Sequence, residues 1–412
     1  MFVIRQVATE DVTTLLKLAR MVHFINLPPD RDIIAAKVVR SRRSFGREAA
    51  DPRERNFMFV LEDLETGNVI GTSAIIACVS WPGHPHVYLD VTRREFWSDD
   101  LQQGATQVML TLGEDVSGPT EMGGLILAPG YRGHAEKLGG FLSMVRFHYM
   151  GLHKRQFNKR VIAEMMGAIT PDSHNLFWDY LGRRFINLSY KEADLFCQHS
   201  KEFMTALFPR EPFYASLLPA EARNLIGRES DETRPARRML ERQGFEYKGH
   251  IDPFDGGPYL EVARDRIPLV SATGKCSLTG ELNGTGRSVG IVSHESDVGF
   301  RAVRTTFTQR GDGVRIPAAA MDAIHAVRGS KLGVTPFPDR PATKTGSTSG
   351  TGSKSGSKSK SGSKSKSGSK SKAGSKSKAG TKSKAGTKAK SGSKSKSGTG
   401  AKAGTGSKKG SR

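Results

Sequence analysis

Glu121-Met122-Gly123-Gly124-Leu125-Ile126-Leu127-Ala128-Pro129-Gly130-Tyr131-Arg132-Gly133-His134-Ala135-Glu136-Lys137-Leu138-Gly139-Gly140 is the stretch on which the fold turns. Its first part, Glu121–Pro129, reads as a buried strand. A basic, glycine-containing turn, Tyr131–Lys137, follows. Leu138, Phe141, Leu142, Val145, Tyr149 and Leu152 then recur at helical spacing and predict a helix with one apolar side. A strand that passes through glycines and cations into a helix gathers unpaired backbone N–H groups and the positive end of a helix dipole at one spot. Phosphate binds at such spots.

Phe2–Val7 predicts a short strand, and Val12, Leu15, Leu16, Leu18, Ala19 and Val22 an amphipathic helix capped by Thr9 or Asp11. Pro28-Pro29-Asp30 opens a second helix through Ile33, Ile34, Val38 and Val39. Phe57–Leu64 and Val69–Val79 are strands about the hairpin turn Glu65-Thr66-Gly67-Asn68. Residues 81–118 read as irregular. Val161–Ile169 predicts a further strand and Leu176–Arg183 a short helix. This order resembles that of GNAT-type acyltransferases. In those enzymes the strand before the central helix splays from its neighbour, and the helix start holds the CoA pyrophosphate.

The chain has 412 residues and a formal charge of +22. Residues 341–412 hold 19 Lys, one Arg and no acid, so +20 of that charge sits in the tail. The rest, with 43 basic and 41 acidic groups, is near neutral and reads as an ordinary enzyme-sized body. No run of about 18 uncharged apolar residues occurs, so no membrane span is expected. Cys78, Cys197 and Cys276 are too scattered for a disulfide framework or a CxxC zinc site, which favours a reduced, cytoplasmic setting. His84 and His86 lack a third ligand at sensible spacing, so no metal site is expected.

From Ser357 to Gly398 the sequence is seven hexads of the form [Ser/Thr]-Lys-[Ser/Ala]-Lys-[Ser/Ala]-Gly. No residue after Phe337 is Leu, Ile, Val, Phe, Tyr or Trp, so nothing offsets the cost of ordering the backbone, about 1–2 kcal/mol per residue. The tail 339–412 is expected to be disordered. It is either a solvated spacer or, the reading favoured here, a polyelectrolyte arm making salt-sensitive, non-specific contact with nucleic acid or another polyanion through residues 341–412.

Several runs share the order of one enzyme family. They are Asn175-Leu176-Phe177-Trp178, Leu181-Gly182-Arg183-Arg184-Phe185, and Leu207-Phe208-Pro209-Arg210-Glu211-Pro212-Phe213-Tyr214. Ile226-Gly227, Thr233 with Pro235-Ala236, and Ile251-Asp252-Pro253-Phe254-Asp255-Gly256-Gly257-Pro258 complete the series. In this the chain resembles the arginine N-succinyltransferase family, which includes arginine/ornithine succinyltransferases, over approximately residues 1–335. The resemblance implies an α/β, GNAT-like architecture, tandem, with a small β-rich C-terminal extension. The expected boundaries are 1–265 for the acyltransferase body, 266–338 for the extension and 339–412 for the tail. It also implies transfer of succinyl from succinyl-CoA, a co-substrate rather than a resident cofactor, to the α-amino group of L-arginine or of ornithine, and an assembly of more than one subunit. Two alternatives stay open: a related acyltransferase with another donor or amine, and an inactive acyltransferase-like body tethered to nucleic acid by its tail.

Carried over residue by residue, the resemblance puts the succinyl-CoA contact on Leu125, through its backbone, with Leu127 on the same strand. The phosphate loop departs from the usual Arg/Gln-x-x-Gly-x-Gly/Ala pattern and reads as a longer version. In it Arg132, His134 and Lys137 supply cations, while Gly133 and Gly139 allow close approach. The family's acid/base histidine falls on Ser230, which cannot act as a base unaided; Asp231 beside it, or Glu229 or Glu232, is then the candidate base. The competing reading makes Glu229–Glu232 an acidic helix start capped by Ser230 or Asp231. Tyr214 can donate to the leaving thiolate, or simply be core. Asp252 and Asp255 can bind a cationic group, or serve the backbone of their own turn.

Overall fold

A computed structural model describes residues 1–21, 27–170, 174–197 and 200–338. The expected disorder of 339–412 and the expected helix position Val22 therefore concern residues outside those described. β1 (Phe2–Gln6) leads to α1 (Val12–Arg20) and α2 (Arg31–Phe45). Asp30 Oδ1 accepts the backbone N–H groups of Asp32 and Ile33 at 2.9 and 3.0 Å, which starts α2 directly after the two prolines. β2 (Asn56–Asp63) and β3 (Asn68–Ile76) form the expected hairpin.

The segment 81–118, expected to be irregular, is instead a long hairpin of β4 (His86–Ser98) and β5 (Gln103–Asp115). Its inner half packs on a core, but residues 92–97 and 103–106 are exposed. Without a buried face the outer half carries no alternation, and period-two reasoning misses it. β6 (Thr120–Leu127), α3 (Leu138–Leu152) and β7 (Arg160–Glu164) follow. β7 ends earlier than expected because the Gly167 N–H is taken by Asp255 Oδ2 at 2.8 Å rather than by a strand. β8 (Phe213–Tyr214), α4 (Arg234–Glu241), β9 (Glu246–Ile251) and β10 (Pro258–Ala263) complete the body. β11 (Gly274–Glu281), β12 (Ser288–Ser296), β13 (Gly299–Arg310), β14 (Gly313–Ile316) and β15 (Lys331–Pro336) make the C-terminal part.

All of these strands join in the order β12-β15-β11-β14-β13-β1-β2-β3-β6-β7-β10-β9-β4-β5-β8. β12 also pairs with β13, so the last five strands close on themselves as a small barrel filled by Leu278, Val292, Val303, Phe307 and Val314. The central run β1-β2-β3-β6-β7-β10-β9 is antiparallel except for the parallel pair β6/β7, which α3 connects. That run is one GNAT-like unit. The tandem arrangement expected from sequence is therefore corrected to a single unit among the described residues, with an inserted hairpin on one edge and a barrel on the other.

α3 packs over one face of this run with Phe57, Phe59, Tyr149 and Phe300 in its core, and α1 and α2 cover Met58 and Val60 on the other. His148 ties α3 to the barrel: Nδ1 lies 2.6 Å from Thr335 Oγ1 and Nε2 2.7 Å from Ser293 Oγ. Burial pushes its pKa down to about 3, so the ring is neutral, as its two hydroxyl partners allow. Losing either partner would leave a buried nitrogen unpaired, at about 1–3 kcal/mol.

Candidate active site

β6 and β7 pair only at Thr120–Val161 and Glu121–Ile162, then part. A cavity of about 1570 Å³ opens between them, bounded by Met122–Leu127, the 132–141 loop and helix start, Ala163–Met166 and the 231–243 segment. Gly124 is why β6 can turn its edge into this space. At φ 61° it sits in a bulge in which the register against β3 slips between Thr72 and Ala74. Leu125 and Leu127 line the cavity and also pack on the core, so their structural and binding readings coincide. Backbone groups of β6 that would otherwise pair with β7 face the cleft, as β-addition of an amide-bearing chain needs.

At the rim, Arg132, Gly133, His134, Lys137 and Gly139 all line the cavity, so the structure brings the expected phosphate-loop residues together. Lys137 is left-handed (φ 55°, ψ 47°), and its carbonyl accepts the Phe141 N–H at 3.1 Å. This sharp entry leaves the first-turn N–H groups of α3, at Leu138–Gly140, without intrahelical partners and directed at the cavity mouth. Two cations came from outside the motif. Arg304 of β13 donates through Nη1 to the Glu136 carbonyl, 168 positions away, and its guanidinium lies 5.7 Å from the Phe337 ring; Arg287 joins it in the lining. No local pattern near residue 132 signals them, because the barrel delivers them, Arg304 from β13 and Arg287 from just before β12.

The floor has the opposite character. Glu164, at the end of β7, lines the cavity with Asp252 and Asp255 from the β9–β10 turn. Burial, then the charges of Glu121 and Asp252, holds the Glu164 carboxyl well above the usual carboxylate range. Burial followed by Asp252 does the same to Asp255, and burial raises Asp252. The local reading of the two aspartates is also met. Asp255 accepts the N–H groups of Gly257 and Gly167 at 2.7 and 2.8 Å, and Asp252 those of Phe254 at 2.6 Å and the Tyr259 hydroxyl at 3.2 Å. Behind Glu164 stands His86, its Nδ1 3.5 Å from Oε1 and only 3% of the residue exposed. Burial, then the charge of Lys201, pushes His86 down to about 3, so it is a neutral partner. Sequence reasoning missed Glu164 and His86: one closes an apolar strand and the other lies in a segment read as irregular.

The expected catalytic residues are divided. Asp231 lines the cavity but is largely exposed and paired with Arg234. Ser230 stands next to it with its hydroxyl 3.1 Å from Thr233 Oγ1, while its carbonyl accepts the N–H groups of Thr233 and Arg234. It thus belongs to the turn that leads into α4, whose N-cap is Thr233 rather than the Ser230 or Asp231 of the competing reading. Glu229 is held by Arg237 at 2.6 Å and Arg234 at 3.7 Å, and their attraction outweighs its partial burial to lower its pKa, which makes it a poor base. Tyr214 is placed elsewhere: it pairs with Met109 of β5, and its ring lies 6.2 Å from Phe96, outside the cavity lining. Among the described residues no cluster of His, Cys, Asp and Glu is arranged to hold a metal.

The strand order, the splayed parallel pair and the helix start at its mouth define a GNAT-type N-acyltransferase, an enzyme class that takes an acyl-CoA thioester as co-substrate. A family model described as arginine N-succinyltransferase beta subunit matches residues 2–269. Arginine N-succinyltransferase of Shigella boydii serotype 18 is 32% identical over 336 residues, 81% of this chain and 96% of its own length. The protein of the same description from Escherichia coli (strain K12 / DH10B) is also 32% identical over 336 residues. Arginine/ornithine succinyltransferase subunit AI from Pseudomonas aeruginosa superposes with a TM-score of 0.70 at 25% identity, covering 82% of this chain and 98% of that one. The chain belongs to the arginine N-succinyltransferase family.

Proposed function

We propose that this protein transfers succinyl from succinyl-CoA to the α-amino group of L-arginine. One observation carries the reading: a single cavity joins a cationic helix start, suited to a pyrophosphate, to a buried carboxylate floor suited to a cationic amine. Arg132, His134 and Lys137 meet CoA phosphates, Gly133 and Gly139 let them approach, and the β6 edge at Leu125–Leu127 receives the pantetheine. Asp252 and Asp255 face the basic side chain of the amino acid.

Glu164 is the base in this scheme. Its ionised carboxylate takes one proton from the α-ammonium, and the free amine attacks the thioester carbonyl. The C–N bond forms, and the C–S bond breaks as the tetrahedral adduct collapses. The second nitrogen proton goes to the leaving sulfur, and Glu164 releases its proton to water through the open cavity. Ser230, occupied at the start of α4, is not required for any of these transfers.

Thiol release by the full chain with succinyl-CoA and L-arginine tests the reading. Release that needs both substrates supports it. Succinyl-CoA binding without release in the presence of arginine or ornithine overturns it, and turnover with another pair alone would give the chain a different donor or amine.

The tail 341–412 makes electrostatic contact with polyanions in this reading, supported by its charge alone. Mobility shifts of duplex DNA should vanish as salt rises; shifts that persist at high salt would refute it. Free thiols at Cys78, Cys197 and Cys276 support a reducing, cytoplasmic setting.

A further inference from the structure

We propose that Arg146 reads the free carboxylate of a dicarboxylic acyl-CoA and so selects the donor, an inference that rests on the acyl-transfer reading above. Arg146 lies on the third turn of α3, in the cavity wall, and is only 2% exposed. The other cations of the lining stand at the exposed rim or half-buried on the barrel; Arg146 is the buried cation among the described residues that line the cavity.

Three of its five N–H donors are engaged, all by neutral oxygens. Nε donates to the Ser143 carbonyl at 3.1 Å, Nη1 to the Gly123 carbonyl at 3.1 Å, and Nη2 to Ser143 Oγ at 3.0 Å. Among the described residues no carboxylate forms an ion pair with it; Glu121 acts on it only at longer range. Burial of a guanidinium is tolerated when an anion completes its shell. The ties to Ser143 and Gly123 fix the plane of the fork and leave two donors for a planar anion, a match that lysine does not offer.

The position fits the donor rather than the amine. Gly123 directly precedes the Gly124 bulge, where the free edge of β6 begins, so an acyl carbonyl held on that edge has its chain beside Arg146. A second carboxylate brought near Glu121, Glu164 and Asp252 is repelled unless a cation faces it. Arg146 removes that repulsion for succinyl and offers nothing to an apolar chain of the same length.

The test uses the full chain with saturating L-arginine and two donors, succinyl-CoA and butyryl-CoA, which carries a methyl group in place of the carboxylate. Wild type should prefer succinyl-CoA by at least about a hundredfold in kcat/KM, because a site built for a charged group rejects the analogue lacking it. R146M should lose that preference, its succinyl-CoA kcat/KM falling about a hundredfold while the butyryl-CoA value holds. R146K, which retains charge and the reach to Gly123, should fall in between and covers the case in which R146M does not fold. A wild-type preference below about tenfold overturns the assignment, as does a preference that survives R146M. Calorimetric binding of the two CoA thioesters reads the same selectivity without turnover. Absence of thiol release with tight, selective succinyl-CoA binding would therefore count against the acyl-transfer reading and for Arg146, whereas release with equal use of both donors would do the reverse.

Discussion

The rim and the floor of the cavity are a few strands apart and are built on opposite terms. The rim is made of exposed cations on a glycine-bearing loop and a helix start, groups that water already solvates and that cost the fold little. The floor gathers Glu164, Asp252 and Asp255 where burial and mutual repulsion favour their neutral forms. A rim of this kind binds by charge and is weakened by salt. The floor is instead a stability cost retained for chemistry, since a carboxyl whose pKa is raised toward neutrality is a better-matched proton acceptor for an ammonium.

E164Q should break this contrast most severely. It is expected to lower kcat by about 10²–10⁴-fold, the usual contribution of a general base, with CoA affinity unchanged by calorimetry. Its residual rate should climb with pH as the amine deprotonates in solution, and a kcat close to wild type would remove Glu164 from the mechanism. At the rim, the double variant R132A/K137A should raise KM for acyl-CoA about tenfold and leave kcat alone, as loss of charge-assisted contacts predicts. Added salt should narrow its difference from wild type; a fall in kcat instead would mean that the loop positions the reacting centre.

The pH dependence of unfolding sharpens the comparison further. The floor carboxyls have folded pKa values above their unfolded ones, so the stability they contribute is complete below about 4 and is lost as pH rises through the folded values. Asp194, on the helix Tyr190–Cys197 and outside the cavity lining, behaves in the same way: burial and then Asp252 raise it to about 7. The melting temperature of the ligand-free protein should thus drop by a few degrees between pH 5 and pH 8, on the order expected for one to two kcal/mol. E164Q should reduce the drop; an unchanged or reversed slope would show that the floor is not strained. The smallest effect belongs to Y214F, which should change kcat negligibly and stability by less than about 0.5 kcal/mol.

The contrast also explains what was legible in sequence. The rim is local: strand, turn and helix start are contiguous, and the cations and glycines of 132–139 reach the cavity as the motif implies. The floor is assembled from β4, β7 and the β9–β10 turn, whose residues share no pattern until the strands pair. Glu164 reads as the polar end of an apolar strand, and His86 belongs to a hairpin whose outer half has no buried face. Ser230 and Tyr214 drew attention through a family position and a favourable residue type. Their hydrogen bonding and strand pairing show that α4 and β5 already use them. The single acyltransferase unit was hidden for a related reason, since the barrel and the inserted hairpin both extend one continuous sheet.

β1 is the seam of that sheet: Val3 lies between Glu62 on one side and Val303 on the other. A ribosome delivers those neighbours at very different times. The first strand made acquires its second partner only after some three hundred further residues have emerged, so the seam closes late and its non-local pairing is slow. Until then β1 offers an unsatisfied edge, an open template for another nascent chain. Fragments ending before β13 should therefore collect in inclusion bodies even though the whole cavity floor is already encoded in them.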